Sequence, residues 1–88
     1  MIHLNISIYG RVQGVFFRSN TQQEAEKLNI KGFVENQSDG SVYIEAEGEK
    51  ENLDAFLKWC HQGPSFAQVE KVEVSQEPLK DYKGFEIL

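Results

Sequence analysis

Apolar and polar side chains alternate at the start of the chain. Ile2, Leu4, Ile6 and Ile8 take one parity, and His3, Asn5, Ser7 and Tyr9 take the other. That is the period of a strand with one face buried, and it puts His3 on the exposed side. The period then changes. Phe17, Thr21, Ala25 and Leu28 recur at helical intervals, with Gln22, Gln23, Glu24, Glu26 and Lys27 between them, which predicts an amphipathic helix over residues 19–28. Ser19 with Gln22, or Thr21 with Glu24, offers a capping pair at its start, and Asn29 marks its end.

Residues 30–36 read as a second strand, and Gln37-Ser38-Asp39-Gly40 supplies turn chemistry that leads into a third over residues 41–47. Val42, Ile44 and Ala46 face one way, while Tyr43, Glu45 and Glu47 face the other, so only one side of the sheet is expected to be dry. A second helix over residues 49–62 carries Leu53, Phe56, Leu57 and Cys60 as its buried stripe and stops at Gly63-Pro64. Cys60 is thus a core residue and not a nucleophile, and Trp59, off the stripe, covers an edge. Val72 and Val74 alternate within a fourth strand over residues 69–76, which Pro78 closes, and residues 82–88 form a short last strand or extended edge.

This order predicts a two-layer α+β sandwich of ferredoxin-like βαββαβ topology. Its sheet is mainly antiparallel, with two helices on one face and a short C-terminal strand. Residues 1–88 suffice for one core and form a single domain. The topology hosts metal carriers, RNA binders and enzymes alike, so function must come from a site.

Charge and cysteine usage narrow the classes. A net charge of -5 opposes broad attraction to nucleic acid or anionic membranes, so any anion must be bound locally. The lone Cys60 forms no internal disulfide, and His61 has no ligand spacing around it, so no metal is indicated. Neither a bilayer-length apolar run nor a signal peptide is present, which makes the cytoplasm the expected location. The chain runs from Met1 to a strand, which favours a free-standing enzyme, expected to be monomeric.

Candidate chemistry concentrates in Gly10-Arg11-Val12-Gln13-Gly14-Val15-Phe16-Phe17-Arg18, which lies between the first strand and the first helix and holds both arginines. Two glycines free the backbone for turns that aim successive N–H groups into one concavity. The first turn of the following helix adds partial positive charge there. Arg18 supplies a planar fork matched to phosphate oxygens. Arg11 reads as a flanking solvated charge, and Phe16 and Phe17 as core wedges behind the loop. No Gly-Lys-Ser/Thr follows, so this is not a Walker loop, and the dinucleotide spacing is absent too.

Taken with Gly32-Phe33-Val34-Glu35-Asn36 and its continuation through Gly40-Ser41-Val42 to Glu47-Gly48, the segment resembles the paired signatures of the acylphosphatases. The likeness covers nearly the whole chain. It implies hydrolysis of a carboxyl-phosphate anhydride to carboxylate and inorganic phosphate without a metal or organic cofactor. It further implies that Arg18 binds the phosphate with the loop amides of Arg11, Val12, Gln13, Gly14 and Val15, and that Asn36 positions the water. Gln37 stands where many members have Thr or Arg, which leaves an auxiliary contact there open. Without the first motif, Asn36 would read as a turn residue.

Neither motif carries a Cys, Ser or His at its centre, so direct attack by water on phosphorus is expected, not a phosphoenzyme. Two other readings share the fold. One is an RNA-binding module, since Lys31-Gly32-Phe33-Val34 is faintly similar to a motif that sets aromatics on a sheet for base stacking. The other is a catalytically idle interaction domain of a larger carbamoyl-transferring maturation protein.

Overall fold

The opening alternation is realised as β1 (Ile2–Arg11). It is followed by α1 (Phe17–Lys27), β2 (Lys31–Asn36), β3 (Val42–Gly48), α2 (Lys50–Gln62), β4 (Gln68–Glu77) and β5 (Phe85–Ile87). The structure is a computed structural model and describes residues 1–88. The five strands form one sheet in the order β4-β1-β3-β2-β5. Every pairing is antiparallel except that of β2 with β5. β1 and β2 flank β3 as parallel strands joined by α1, and β3 and β4 flank β1 in the same way through α2. This is the ferredoxin-like arrangement that the element order predicted.

Register decides which side chains meet the helices. Ile6 lies opposite Ile44, and Ile44 opposite Val34. These residues form one continuous apolar face with Ile8, Val42 and Ala46, all fully buried. α2 docks on that face through Leu53, Phe56 and Cys60. α1 contributes only Phe17, Thr21 and Ala25. Burying a phenylalanine contributes roughly 1.5–3 kcal/mol, so Phe17 is the main anchor of α1 and of the segment that precedes it. No helix is long and apolar enough to cross a membrane.

Two expectations fail on the opposite face. His3 is not exposed but fully buried, and Glu45 and Glu47 are buried beside it. The cause is the connection between β4 and β5, which folds back over that face. Main-chain N–H groups of Lys80 and Tyr82 donate to Glu47, and the Tyr82 hydroxyl and Lys80 ammonium donate to Glu45 at 2.6 and 3.1 Å. His3 Nδ1 lies 2.7 Å from Glu47 Oε2, and its Nε2 lies 2.7 Å from Asn5 Oδ1. Every buried polar side-chain atom has a partner, which is the condition for burying such groups at all.

Element boundaries differ as well. α1 starts at Phe17, before the expected Ser19, and uses neither proposed capping pair. Ser19 Oγ and Thr21 Oγ1 instead donate back to the carbonyls of Phe16 and Phe17, a local bond that hydroxyls make readily within the first turn. Asn29, at φ 56°, ends the helix as expected.

Candidate active site

The register of β1 against β4 shifts between Tyr9 and Gly10, and pairing resumes as far as Arg11 opposite Gln68. This bulge turns the chain out of the sheet. It requires glycine, because Gly10 has φ +129° and a Cβ there would sit 2.2 Å from the Gln68 carbonyl oxygen. Val12 and Phe17, at 1% and 2% exposure, fasten the two ends of the ensuing loop to the core. Between them Gly14 takes φ +73°. Phe16 takes φ 64°, ψ 23° as the residue before the helix, a left-handed conformation uncommon for a bulky side chain. Phe16 is therefore not the core wedge expected from sequence. The left-handed turn carries it outward to 71% exposure while Phe17 enters the core.

The main-chain N–H groups of residues 12–19 have no acceptor within the protein. None donates in the backbone bonds outside helices and strands, where the first α1 bond runs from Asn20 to Phe16. None reaches a side chain either, since the only main-chain donors to side chains are Ser41, Lys80 and Tyr82. The free run begins at Val12, passes through Gln13, Gly14 and Val15, and continues into the first turn of α1. Arg11 lies just outside it as the last residue of β1.

Arg18, in that first turn, is half-buried, and its Nη1 donates to the Leu88 main-chain oxygen at 3.0 Å. No aspartate or glutamate pairs with it. Asn36 arrives from the other side. Parity places it on the helix face of β2, two residues beyond Val34 and opposite Val42, where the sheet ends beneath the loop. Arg18 and Asn36 line one cavity of about 360 Å³ with Gly14, Phe16, Ser19 and Ile87, and no acidic side chain borders it.

One side chain joins the two halves. Gln13 Nε2 donates to the carbonyls of Gln37 at 2.7 Å and Ser41 at 2.9 Å, so the loop is strapped to the turn that follows Asn36. That turn is itself fixed by Asp39 Oδ1, which accepts from the Ser41 hydroxyl and N–H. These bonds hold the Asp39 carboxyl below its ordinary range, the hydroxyl contributing most. The Gln37 side chain turns away to Glu35 Oε1 at 3.1 Å and does not border the cavity.

The sequence model of the family described as Acylphosphatase matches residues 4–87. The chain belongs to the acylphosphatase family. An acylphosphatase of Archaeoglobus fulgidus is 47% identical over 87 residues, covering 99% of this chain and 98% of its own. One of Rubrobacter xylanophilus is 46% identical over 85 residues, covering 96% and 77%. The crystal structure of the Bacillus subtilis acylphosphatase superposes with a TM-score of 0.98 at 37% identity over 100% of this chain and 99% of that one. Full-length HypF in its phosphate- and nucleotide-bound form superposes at 0.93 with 38% identity, over 99% of this chain but 12% of the other.

Sequence reasoning about this acylphosphatase missed the side chains of Gln13, Ser19 and Ile87 and the oxygen of Leu88. A long amide placed between two glycines with no local partner was a usable signal for Gln13. For Ile87 and Leu88 there was none, because the parallel pairing of β5 with β2 leaves no local pattern. Cys60 is core, as expected, with its thiol pushed up by burial and far from reactive ionisation.

Proposed function

We propose that this acylphosphatase binds the substrate phosphate between residues 12–19 and Asn36. The Arg18 guanidinium and the loop N–H groups hold the phosphate oxygens, and Asn36 orients the water that attacks phosphorus. The observation that carries the reading is the unbroken run of main-chain donors without acceptors, bordering the same cavity as an arginine that no aspartate or glutamate pairs. Consecutive donors are rarely left so unless water or a ligand completes them. A dianion there meets two fork nitrogens, several amide dipoles and a helix N-terminus at once.

The chemistry asks little more. The departing carboxylate has a pKa near ~4 and needs no proton at neutral pH. What remains is to bring water and phosphorus together and to stabilise charge on the equatorial oxygens. Asn36 is neutral and can only orient water through its C=O or NH₂. Ser19 borders the cavity, but its hydroxyl donates to the Phe16 carbonyl at 3.2 Å. No histidine, cysteine or carboxylate lies there to take its proton, which favours direct attack over a phosphoserine. All donors belong to the chain, so the reaction as drawn calls on no cofactor.

The RNA-binding alternative finds no support. Phe33 packs against Tyr43 and edge-on against Tyr82, on a face that also carries Glu35 and Glu45.

Arg18→Ala is expected to lower kcat/KM on acetyl phosphate by at least ~10²-fold, the scale for removing one transition-state donor. Near-normal turnover removes Arg18 from the site. Hydrolysis in oxygen-labelled water should place the label in phosphate, whereas label in the carboxylate means attack at carbon.

A further inference from the structure

Two phenylalanines are left in water. Phe16 and Phe66 are 71% and 72% exposed, while Phe17, Phe56 and Phe85 lie in the core. The exposed pair is not scattered. Together with Arg11, Gly14 and Val15 they line a second cavity of about 250 Å³, which meets the first at Gly14 and Phe16 and does not include Asn36. Phe16 is moreover held in a left-handed backbone that a bulky residue ordinarily avoids, and strain of this sort persists where surrounding structure and function require it.

The geometry points to this groove as the acyl subsite, selecting acyl phosphates whose acyl group is apolar and preferably aromatic. The inference rests on the phosphate being bound as proposed above. In phosphoryl transfer the attacking and leaving oxygens lie roughly in line on opposite sides of phosphorus. With water held at Asn36, the bridging oxygen and its acyl group must therefore point away from Asn36, and the adjoining groove without Asn36 is that of Phe16 and Phe66. As the water oxygen bonds to phosphorus, the bridging P–O bond breaks and its electron pair leaves on the carboxylate. The water protons pass to the phosphate product and solvent. Arg11, exposed and without a carboxylate partner, stands in the groove where that negative charge emerges. An apolar slot with one cation at its rim complements an aromatic carboxylate.

The test compares benzoyl and acetyl phosphate as substrates, with inorganic phosphate as inhibitor, for the wild type, Phe66→Ala and Arg18→Ala. Losing one aromatic contact should reduce the benzoyl-to-acetyl ratio of kcat/KM by roughly three- to tenfold in Phe66→Ala, with inhibition by phosphate as in the wild type. Phe66→Trp should keep the ratio or raise it. A ratio unchanged in Phe66→Ala, or an equal loss on both substrates, overturns the acyl groove. So does a weakening of phosphate inhibition as large as the loss on benzoyl phosphate. The phosphate site fails separately, if Arg18→Ala inhibits and turns over like the wild type.

Discussion

At the residue scale the least expected contributor is Gln13. A single NH₂ group bonds two carbonyls that lie 24 and 28 residues further along the chain, and one of them follows Asn36 directly. Deleting that side chain leaves Val12 and Phe17 to anchor the loop, so the fold should survive with a loss of about 1–2 kcal/mol for two neutral hydrogen bonds. The distance between the loop and Asn36 is then no longer fixed, and, if the two share the substrate as proposed, misplacement by about an ångström can cost up to ~10²-fold in rate. Gln13→Ala should accordingly lower kcat roughly ten- to hundredfold while KM moves less. If it acts through Asn36, the double variant with Asn36→Ala should be only slightly worse than Asn36→Ala alone. Steady-state kinetics of the four enzymes decide this, and losses that simply multiply would show Gln13 acting independently. Arg18 stood out in the sequence because a fork donor advertises its chemistry, whereas Asn36 alone reads as a turn residue and came forward only through the resemblance of the paired segments. Gln13 was read only as a supplier of a main-chain N–H, since its partners are carbonyls, which no residue type encodes.

At the scale of elements, period and turn chemistry located both helices and the strands, but their junctions were misjudged for an identifiable reason. The first N–H groups of α1 are left open, and the helix lacks the side-chain cap on which a sequence-based start depends. β1 likewise runs on past the alternating residues because a bulge at Gly10 restores pairing with β4. The two loop glycines should respond differently to substitution. A Cβ at Gly10 collides with the main chain of Gln68 and comes within 2.9 Å of the Glu70 nitrogen, so Gly10→Ala should destabilise by about 3 kcal/mol. A Cβ at Gly14 meets nothing within 4 Å, and its cost is the left-handed backbone alone, roughly 1–2 kcal/mol. Urea denaturation of both variants measures the difference. Equal losses would mean that the bulge relaxes and that the close approach to β4 does not dictate glycine.

At the scale of the whole molecule, the sheet was expected to be dry on one side, and its other side is covered as well around His3, Glu45 and Glu47, while Glu73, Ser75 and Glu77 of β4 stay exposed. Parity correctly put Glu45 and Glu47 away from the helices, yet nothing local announced that the segment bearing Lys80 and Tyr82 would return to cover them. The consequence is a pH-dependent closure. Burial alone would raise both carboxyls, but hydrogen bonds outweigh it: Tyr43, Tyr82 and Lys80 donate to Glu45, and Lys80, His3 and Tyr82 to Glu47. Both groups therefore lie below their ordinary value of 4.5. A carboxyl depressed in the folded state stabilises above its unfolded pKa and loses that contribution as pH falls through the folded one. At the other end the Tyr82 phenol is raised from 10.0 to about 12, by burial first and by its bond to Glu45 second. Its contribution is present below 10.0 and disappears as pH rises through that interval. Thermal unfolding should therefore show a plateau at neutral pH, with Tm falling below about pH 4.5 and again above pH 10.0. Glu47→Gln should lower the plateau and flatten its acid edge. The same segment delivers β5 beside β2 and the Leu88 oxygen to Arg18, so activity should fail on the acid side together with the covering segment. A Tm that holds steady from pH 6 to pH 3, or an acid edge as steep in Glu47→Gln as in the wild type, would sink the idea that these two carboxylates latch the molecule shut.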